Sequence, residues 1–217
     1  MPYTYDYPRP AVTVDCVVLR YEEPELKVLL IRRKQDPYRG YWALPGGFIN
    51  MDEELEQAAR RELHEETGVK RVRFLEQFGA FAKIGRDPRG RTLSVVYLAL
   101  LKPHEDQIQA ADDAQEAKWV TWRKRLSLAF DHKDILRSAD LHLHEWVHTR
   151  PLLFHLLPDQ FTLQQLEQLY LLLRGDNSDA RPFLRRLRKA EVLEIVQPNP
   201  RLYRWNQKEL LKRREAD

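Results

Sequence analysis

Three glutamates, Glu62, Glu65 and Glu66, lie in the run GGFINMDEELEQAARRELHEETGV, between Gly47 and Gly68. Their i, i+3, i+4 spacing places the three carboxylates on one side of a helix predicted over 53–67. With Leu55 at 0° and about 100° per residue, Ala58 falls at about −60°, Glu62 at about −20°, Glu66 at about +20°, Ala59 at about +40° and Leu63 at about +80°. Two carboxylates therefore lie inside the apolar stripe. Glu65 flanks them at about −80°, while Gln57, Arg60 and His64 take the solvent side. A carboxylate facing a core needs a cationic partner. An oxygen-rich cluster of this kind suits a hard cation, Mg²⁺ or Mn²⁺ in its place. Ala58 and Ala59 leave room for close approach.

The elements that must hold this helix are mostly strands. Two apolar, β-branched runs, AVTVDCVVLR and LKVLLIRR, are separated by YEEPE, and further strand-like runs follow at VRFLEQFGAFAKI, TLSVVYLALL and AKWVTW. A second helix is predicted over 131–148, ended by Arg150-Pro151. Leu157-Pro158-Asp159 reads as a joint, giving one unit over 1–158 and a second over 159–217. The 217 residues are 43% hydrophobic and 32% charged, which excludes a disordered chain. No apolar run approaches the ~18 residues of a membrane span, and MPYTYDYPRP is no signal peptide. The single cysteine, Cys16, fits a reducing compartment, so a cytoplasmic protein is expected.

Charge is uneven. Residues 1–159 hold 24 Lys and Arg against 25 Asp and Glu, whereas residues 160–217 hold 12 against 8, a net of +4 that points to a nucleic-acid surface on the second unit. There Thr162 and Gln165 form a capping box, and Leu163, Leu166, Tyr170 and Leu173 keep helical spacing until Gly175. After GDNSD, the run ARPFLRRLRKA makes a second helix with basic and apolar faces opposed. Arg181, Arg185 and Arg188 cluster within about 60° of arc, away from Phe183, Leu184 and Leu187. VLEIVQPNPRLYRW then reads as a hairpin, followed by a last basic helix, QKELLKRRE. This order resembles a winged helix-turn-helix, with Arg181, Arg185, Arg186 and Arg188 on the recognition helix and Arg201 and Arg204 on the wing. Double-stranded DNA and a homodimer are the implied partners. An interaction or dimerisation module is the alternative.

Gly47, five residues, Glu53, seven residues, Arg61-Glu62-Leu63, one residue, Glu65-Glu66, one residue, Gly68-Val69 resembles a complete Nudix box. The resemblance implies an α/β fold, a Nudix α/β/α sandwich, and Mg²⁺-dependent hydrolysis of a nucleoside diphosphate linked to another moiety. It also implies that Glu62, Glu65 and Glu66 are metal ligands and that Glu53 and Arg61 form a supporting ion pair. These two residues would stand ~12 Å apart along one straight helix, so Glu53 is expected in the turn before it. The runs LLIRRKQDPYRGYWALPGGF and RDPRGRTLSVVYLAL are similar to the ADP-ribose branch of the family and to Nudix-type regulators of NAD metabolism. That likeness implies ADP-ribose as ligand and a substrate site at Arg33, Gly46, Gly47, Arg86, Asp87 and Arg89. In the loop GRDPRGR, Arg86, Arg89 and Arg91 surround Asp87, and guanidinium groups suit a diphosphate; a solvated turn is the alternative.

The base stays open between Glu66 and Glu105, Asp112, Asp113 and Glu116 of the following acidic loop. Three readings follow: a hydrolase fused to a ligand-responsive DNA-binding regulator, a non-catalytic ADP-ribose-sensing repressor, or an enzyme whose second unit only dimerises. His144-Glu145-Trp146-Val147-His148 matches the zinc-protease pattern H-E-x-x-H, but no G-x-x-H continuation follows, and a His-rich linker helix is expected.

Overall fold

The computed structural model describes residues 5–103, 105, 108, 114–176 and 178–209. At its centre β1 (Ala11–Glu22) and β6 (Thr92–Leu101) run parallel, from Ala11 opposite Thr92 to Arg20 opposite Leu101. Outward from β1 lie β2 (Glu25–Arg33) and β3 (Trp42–Ala43), and outward from β6 lies β5 (Phe74–Phe81). The short β4 (Gly46–Phe48) pairs with β1, and β7 (Ala114–Thr121) pairs with β2. The two central strands are near-continuously apolar because both faces of the sheet are covered.

Period-two alternation divides β1 between two cores. Val14, Cys16 and Val18 pack under α1 (Leu55–Thr67), against Ala58, Ala59 and Leu63. The alanines admit the close approach expected of them, and the buried Cys16 thiol donates to the Ala59 carbonyl at 3.7 Å. Val17, Leu19 and Tyr21 face the other side, toward α2 (His132–Thr149) and α3 (Leu152–Leu156). This completes the α/β/α sandwich.

The second unit comprises α4 (Leu163–Arg174), α5 (Arg181–Lys189) and a hairpin of β8 (Leu193–Pro198) and β9 (Arg201–Trp205). Thr162 caps α4 with Gln165 in the expected box, and Gly175 closes it in the left-handed conformation at φ 69°. Phe161 bridges to Tyr203, extending the hairpin by one residue pair. Asp159 is exposed, but Leu157 and Phe161 on either side are buried in one cluster with Val17 and Leu19 of the sheet and Tyr203 and Trp205 of the hairpin. The two units thus share a core across the turn.

The sequence reading differs from the structure at several edges. The first helix begins at Leu55 rather than at residue 53, because Glu54 caps it through Gln57. The second is shifted by one residue. The run VRFLEQFGAFAKI is a strand only over Phe74–Phe81, with an irregularity between Gln77 and Gly79. The strands β3 and β4 and the helix α3 were not expected: each is two to five residues long and defined by its partners rather than by periodicity. Residues 207–209 are helical, and the remainder of the expected last basic helix, with the rest of 210–217, lies outside the described residues. Among the described residues no helix is long and apolar enough to cross a membrane.

Candidate functional site

The cleft is built where β4 lies against β1, with Thr13 opposite Phe48, Val14 opposite Gly47 and Asp15 opposite Gly46. A Cβ on Gly46 would stand 2.1 Å from the Val14 carbonyl oxygen, and one on Gly47 would stand 2.4 Å from Glu62 Oε1. Gly46 is therefore required by the close backbone approach, whereas a side chain at Gly47 would push aside the carboxylate lying on it. The Gly46 N–H donates to Glu66 Oε2 at 2.8 Å. Glu53 sits in the turn before α1, as expected, and accepts from the Asn50 N–H at 2.6 Å and from Arg61 Nε and Nη2 at 2.9 and 2.6 Å. The paired guanidinium holds the Glu53 carboxyl well below the usual carboxylate range. Arg61 Nη1 also donates to Glu62 Oε1 and Glu65 Oε2, both at 2.9 Å.

The three box glutamates differ in environment. Glu66 is buried, Glu62 half-buried, and Glu65 is 43% exposed, as its flanking place on the helical wheel requires. Burial, with Glu62 and Asp15 close by, pushes the Glu66 carboxyl up to about 8 against the opposing Gly46 hydrogen bond. Burial also raises Glu62, against Arg61. With Arg61 drawing Glu62 and Glu65 together, no three metal-binding side chains already converge on one ion position among the described residues. The donors nevertheless fit a divalent cation. All are carboxylate oxygens, and the two inward ones carry charge that burial disfavours and a cation would restore. Gly47→Ala should displace the Glu62 carboxylate with α1 intact. The expected result is a folded protein whose thermal midpoint rises less with Mg²⁺ than that of wild type; an equal rise would contradict the packing of Glu62 on Gly47.

The opposite wall is a buried ionic knot that the sequence reading missed. Arg86 donates to Asp131 Oδ1 and Oδ2 at 2.7 and 2.9 Å and to Asp15 Oδ2 at 3.3 Å. Asp15 also accepts from Ser94 Oγ, and His132 Nε2 lies 3.5 Å from its other oxygen. His132 Nδ1 accepts from the Leu44 N–H at 2.9 Å, and burial lowers this imidazole below its ordinary value. One signal was available: Asp15 is the only carboxylate in the apolar run AVTVDCVV. Nothing local marks Asp131 or His132 as its neighbours.

All six expected substrate residues, Arg33, Gly46, Gly47, Arg86, Asp87 and Arg89, line this cleft of about 370 Å³ together with Glu62, Glu65 and Glu66. The size suits a small ligand. Arg89 is held by Asp87 at 2.7 Å and lies over the Phe48 ring, while Arg33 lies over Phe130. Burial and the nearby Arg89 charge disfavour the Arg33 cation, so an anion between the two is favoured. Arg91 instead donates to the Ala82 carbonyl and does not line the cleft. Of the alternative bases, Glu105 pairs with Arg73 and Glu116 stands opposite Arg32 on β7, and neither lines the cleft. Asp112 and Asp113 lie outside the described residues.

On α5, Arg181, Arg185, Arg186 and Arg188 are exposed and Phe183 is buried, so the opposed faces are present. Arg201 and Arg204 are exposed on β9. Arg181 and Arg204 are each engaged by an acid, Asp179 and Glu194. The H-E-x-x-H histidines pack between units as expected of a linker helix. His144 Nδ1 meets the Arg174 carbonyl, His148 Nε2 accepts from Arg174 Nη1 at 2.9 Å, and the His148 ring abuts Tyr170 and Phe183.

Family models match twice: a NUDIX domain over residues 9–139 and an NrtR DNA-binding winged helix domain over residues 153–200. The "ADPR responsive transcriptional repressor NtrR" of Acinetobacter baylyi is 37% identical over 87% of this chain and 76% of its own length. An ADP-ribose pyrophosphatase of Methanocaldococcus jannaschii is 40% identical over 61% of this chain and 74% of its own. Among solved structures, Shewanella oneidensis NrtR complexed with a 27mer DNA superposes with a TM-score of 0.75 at 31% identity, covering 91% of this chain and 94% of that one. On the shared fold, the two matched domains and the intact box, the chain belongs to the Nudix family, in the NrtR-like arrangement with a C-terminal winged helix.

Proposed function

We propose that this protein is an ADP-ribose-responsive DNA-binding regulator whose cleft also hydrolyses ADP-ribose, or a related nucleoside diphosphate derivative, with Mg²⁺ or Mn²⁺. Residues 1–158 carry the cleft and residues 159–217 the DNA contacts, in a homodimer. The observation that carries this reading is that inward-facing Glu62 and Glu66 share one cleft with Arg33 and Arg89, so anionic metal donors stand across from cations suited to a diphosphate.

In this reading Glu62, Glu65 and Glu66 hold the cation. When bound, a divalent cation neutralises diphosphate charge and lowers the pKa of the attacking water. Arg61 orients Glu62 and Glu65 and is itself fixed by Glu53. Arg33 and Arg89 bind the diphosphate, with Asp87 locking the Arg89 guanidinium and Phe48 and Phe130 backing the two cations. Arg86, spent on Asp131 and Asp15, positions the wall.

Purified protein with Mg²⁺ is expected to convert ADP-ribose to AMP and ribose 5-phosphate, read by chromatography. Protein that binds ADP-ribose and leaves every nucleoside diphosphate derivative intact with Mg²⁺ and Mn²⁺ would overturn the hydrolase part and leave a sensor.

A further inference from the structure

The turn after β7, Trp122-Arg123-Lys124-Arg125, belongs to the Nudix unit by sequence yet is tied to the winged helix. Arg123 Nη1 donates to the Leu172 carbonyl near the end of α4, and Arg123 Nε donates to Asp140 Oδ1 of α2, both at 2.8 Å. Trp122 Nε1 donates to the same Asp140 oxygen at 3.1 Å. The Arg123 guanidinium packs so closely on Gly175, the cap of α4, that a Cβ there would lie 2.2 Å from Nη2. Arg123 itself adopts φ +63°, a left-handed conformation unfavourable for a residue with a side chain, and these contacts hold it there.

The next two residues, Lys124 and Arg125, are exposed, and Lys133 in the first turn of α2 is exposed on the same groove. None of the three has a side-chain ion pair or hydrogen bond among the described residues, whereas Arg123 and Arg137 are taken by Asp140 and Asp134. The nearby acids of the α4–α5 turn are also engaged, Asp176 by Arg174 and Asp179 by Arg181. Cations without an ion pair among the described residues therefore follow directly on Arg123, which is itself fixed against the end of α4, where the chain turns into α5. In helix-turn-helix docking the second helix enters the major groove by its N-terminal end while the first crosses the backbone. The junction between them lies along the phosphates that flank the groove.

We propose that Lys124 and Arg125, with Lys133 behind them, form a phosphate-binding extension of the DNA surface supplied by the Nudix unit. The inference rests on the DNA-binding reading above. Backbone contacts fix register and orientation without reading sequence, so this turn adds affinity and holds the Nudix unit at a set position on the duplex.

The test is a titration of duplex DNA with the full-length chain over a range of salt. For Lys124→Gln/Arg125→Gln, log K against log salt should be shallower than wild type by about 1.8 for each protomer bound, or about 0.9 per lost phosphate contact. The loss should be alike on a promoter fragment and on unrelated duplex, with ADP-ribose binding unchanged. Lys133→Gln alone should give a slope shallower by up to about 0.9 for each protomer bound. Arg185→Ala serves as the recognition-helix control. Wild type failing to bind any duplex at low salt would sink the DNA reading itself. Wild-type binding weakened by Arg185→Ala, with a wild-type slope for Lys124→Gln/Arg125→Gln, would overturn this inference alone.

Discussion

Glu66→Gln is expected to lower turnover of ADP-ribose by about 10²-fold or more, the scale of losing one preorganised electrostatic group, while the metal-free variant matches the thermal midpoint of wild type at acid pH and exceeds it at pH 7. Burial pushes the Glu66 carboxyl up to about 8, so at neutral pH without a cation the folded protein already holds it mostly protonated. Glutamine then replaces a neutral group by a neutral group of the same size. Catalysis needs the ionised form, and glutamine cannot supply it. The pH dependence has a definite sign. Between the ordinary value of 4.5 and about 8 the folded chain keeps a proton that the unfolded chain releases, so wild-type stability from this group falls as pH rises through that window. Glu66→Gln should remove that part of the fall, and Mg²⁺ should offset it in wild type only. Near-wild-type turnover in the variant, or the same pH slope of stability in both proteins without metal, would contradict the assignment.

ADP-ribose is expected to weaken DNA binding by a factor in the range of typical coupling energies, about 5- to 150-fold. One element, α2, runs from the cleft to the second unit. Arg86 in the cleft wall holds Asp131, the residue before α2. That helix runs 18 residues, about 27 Å, and its far end meets the second unit through His144 on the Arg174 carbonyl and His148 on Tyr170 and Phe183. Trp122, Arg123 and Asp140 make a second junction along the same helix. With a shared core and no loose linker, a change at Asp131 has few ways to relax short of α4 and α5. A ligand shifts this equilibrium only by its differential affinity for the two arrangements. A diphosphate held by Arg33 and Arg89 supplies such a difference, because its charge acts on the neighbouring Arg86 guanidinium that Asp131 shares with Asp15. The resemblance to Nudix-type regulators of NAD metabolism implies release rather than tightening.

The residues most legible in the sequence were those whose signal is local. Glu62, Glu65 and Glu66 follow from helical spacing, the opposed faces of α5 from the same arithmetic, and the capping box of α4 from two residues three apart. Glu53 was placed before α1 because a length of helix is fixed by its rise. What escaped is non-local. Asp15, Arg86, Asp131 and His132 lie 71, 45 and 88 residues from the partners that define their roles, and no period or motif joins them. Arg86 was read as a diphosphate ligand by composition, and only the fold shows that two carboxylates already engage it. The turn at Arg123 looked like an ordinary strand end, since its contact with Leu172 spans 49 residues. The bend at Leu157-Pro158-Asp159 is legible in the sequence, but the core running beneath it is not, because packing across a turn leaves no mark on either side of it.

The most direct test is a DNA titration of the full-length Glu66→Gln variant with and without saturating ADP-ribose, with occupancy confirmed by calorimetry in the same buffer. This variant should hold the ligand without consuming it. The account predicts weaker DNA binding when ADP-ribose is bound, by at least about 5-fold, and by reciprocity an equal loss of ADP-ribose affinity when DNA is bound. Identical DNA affinity in both titrations, with the cleft demonstrably filled, would contradict it.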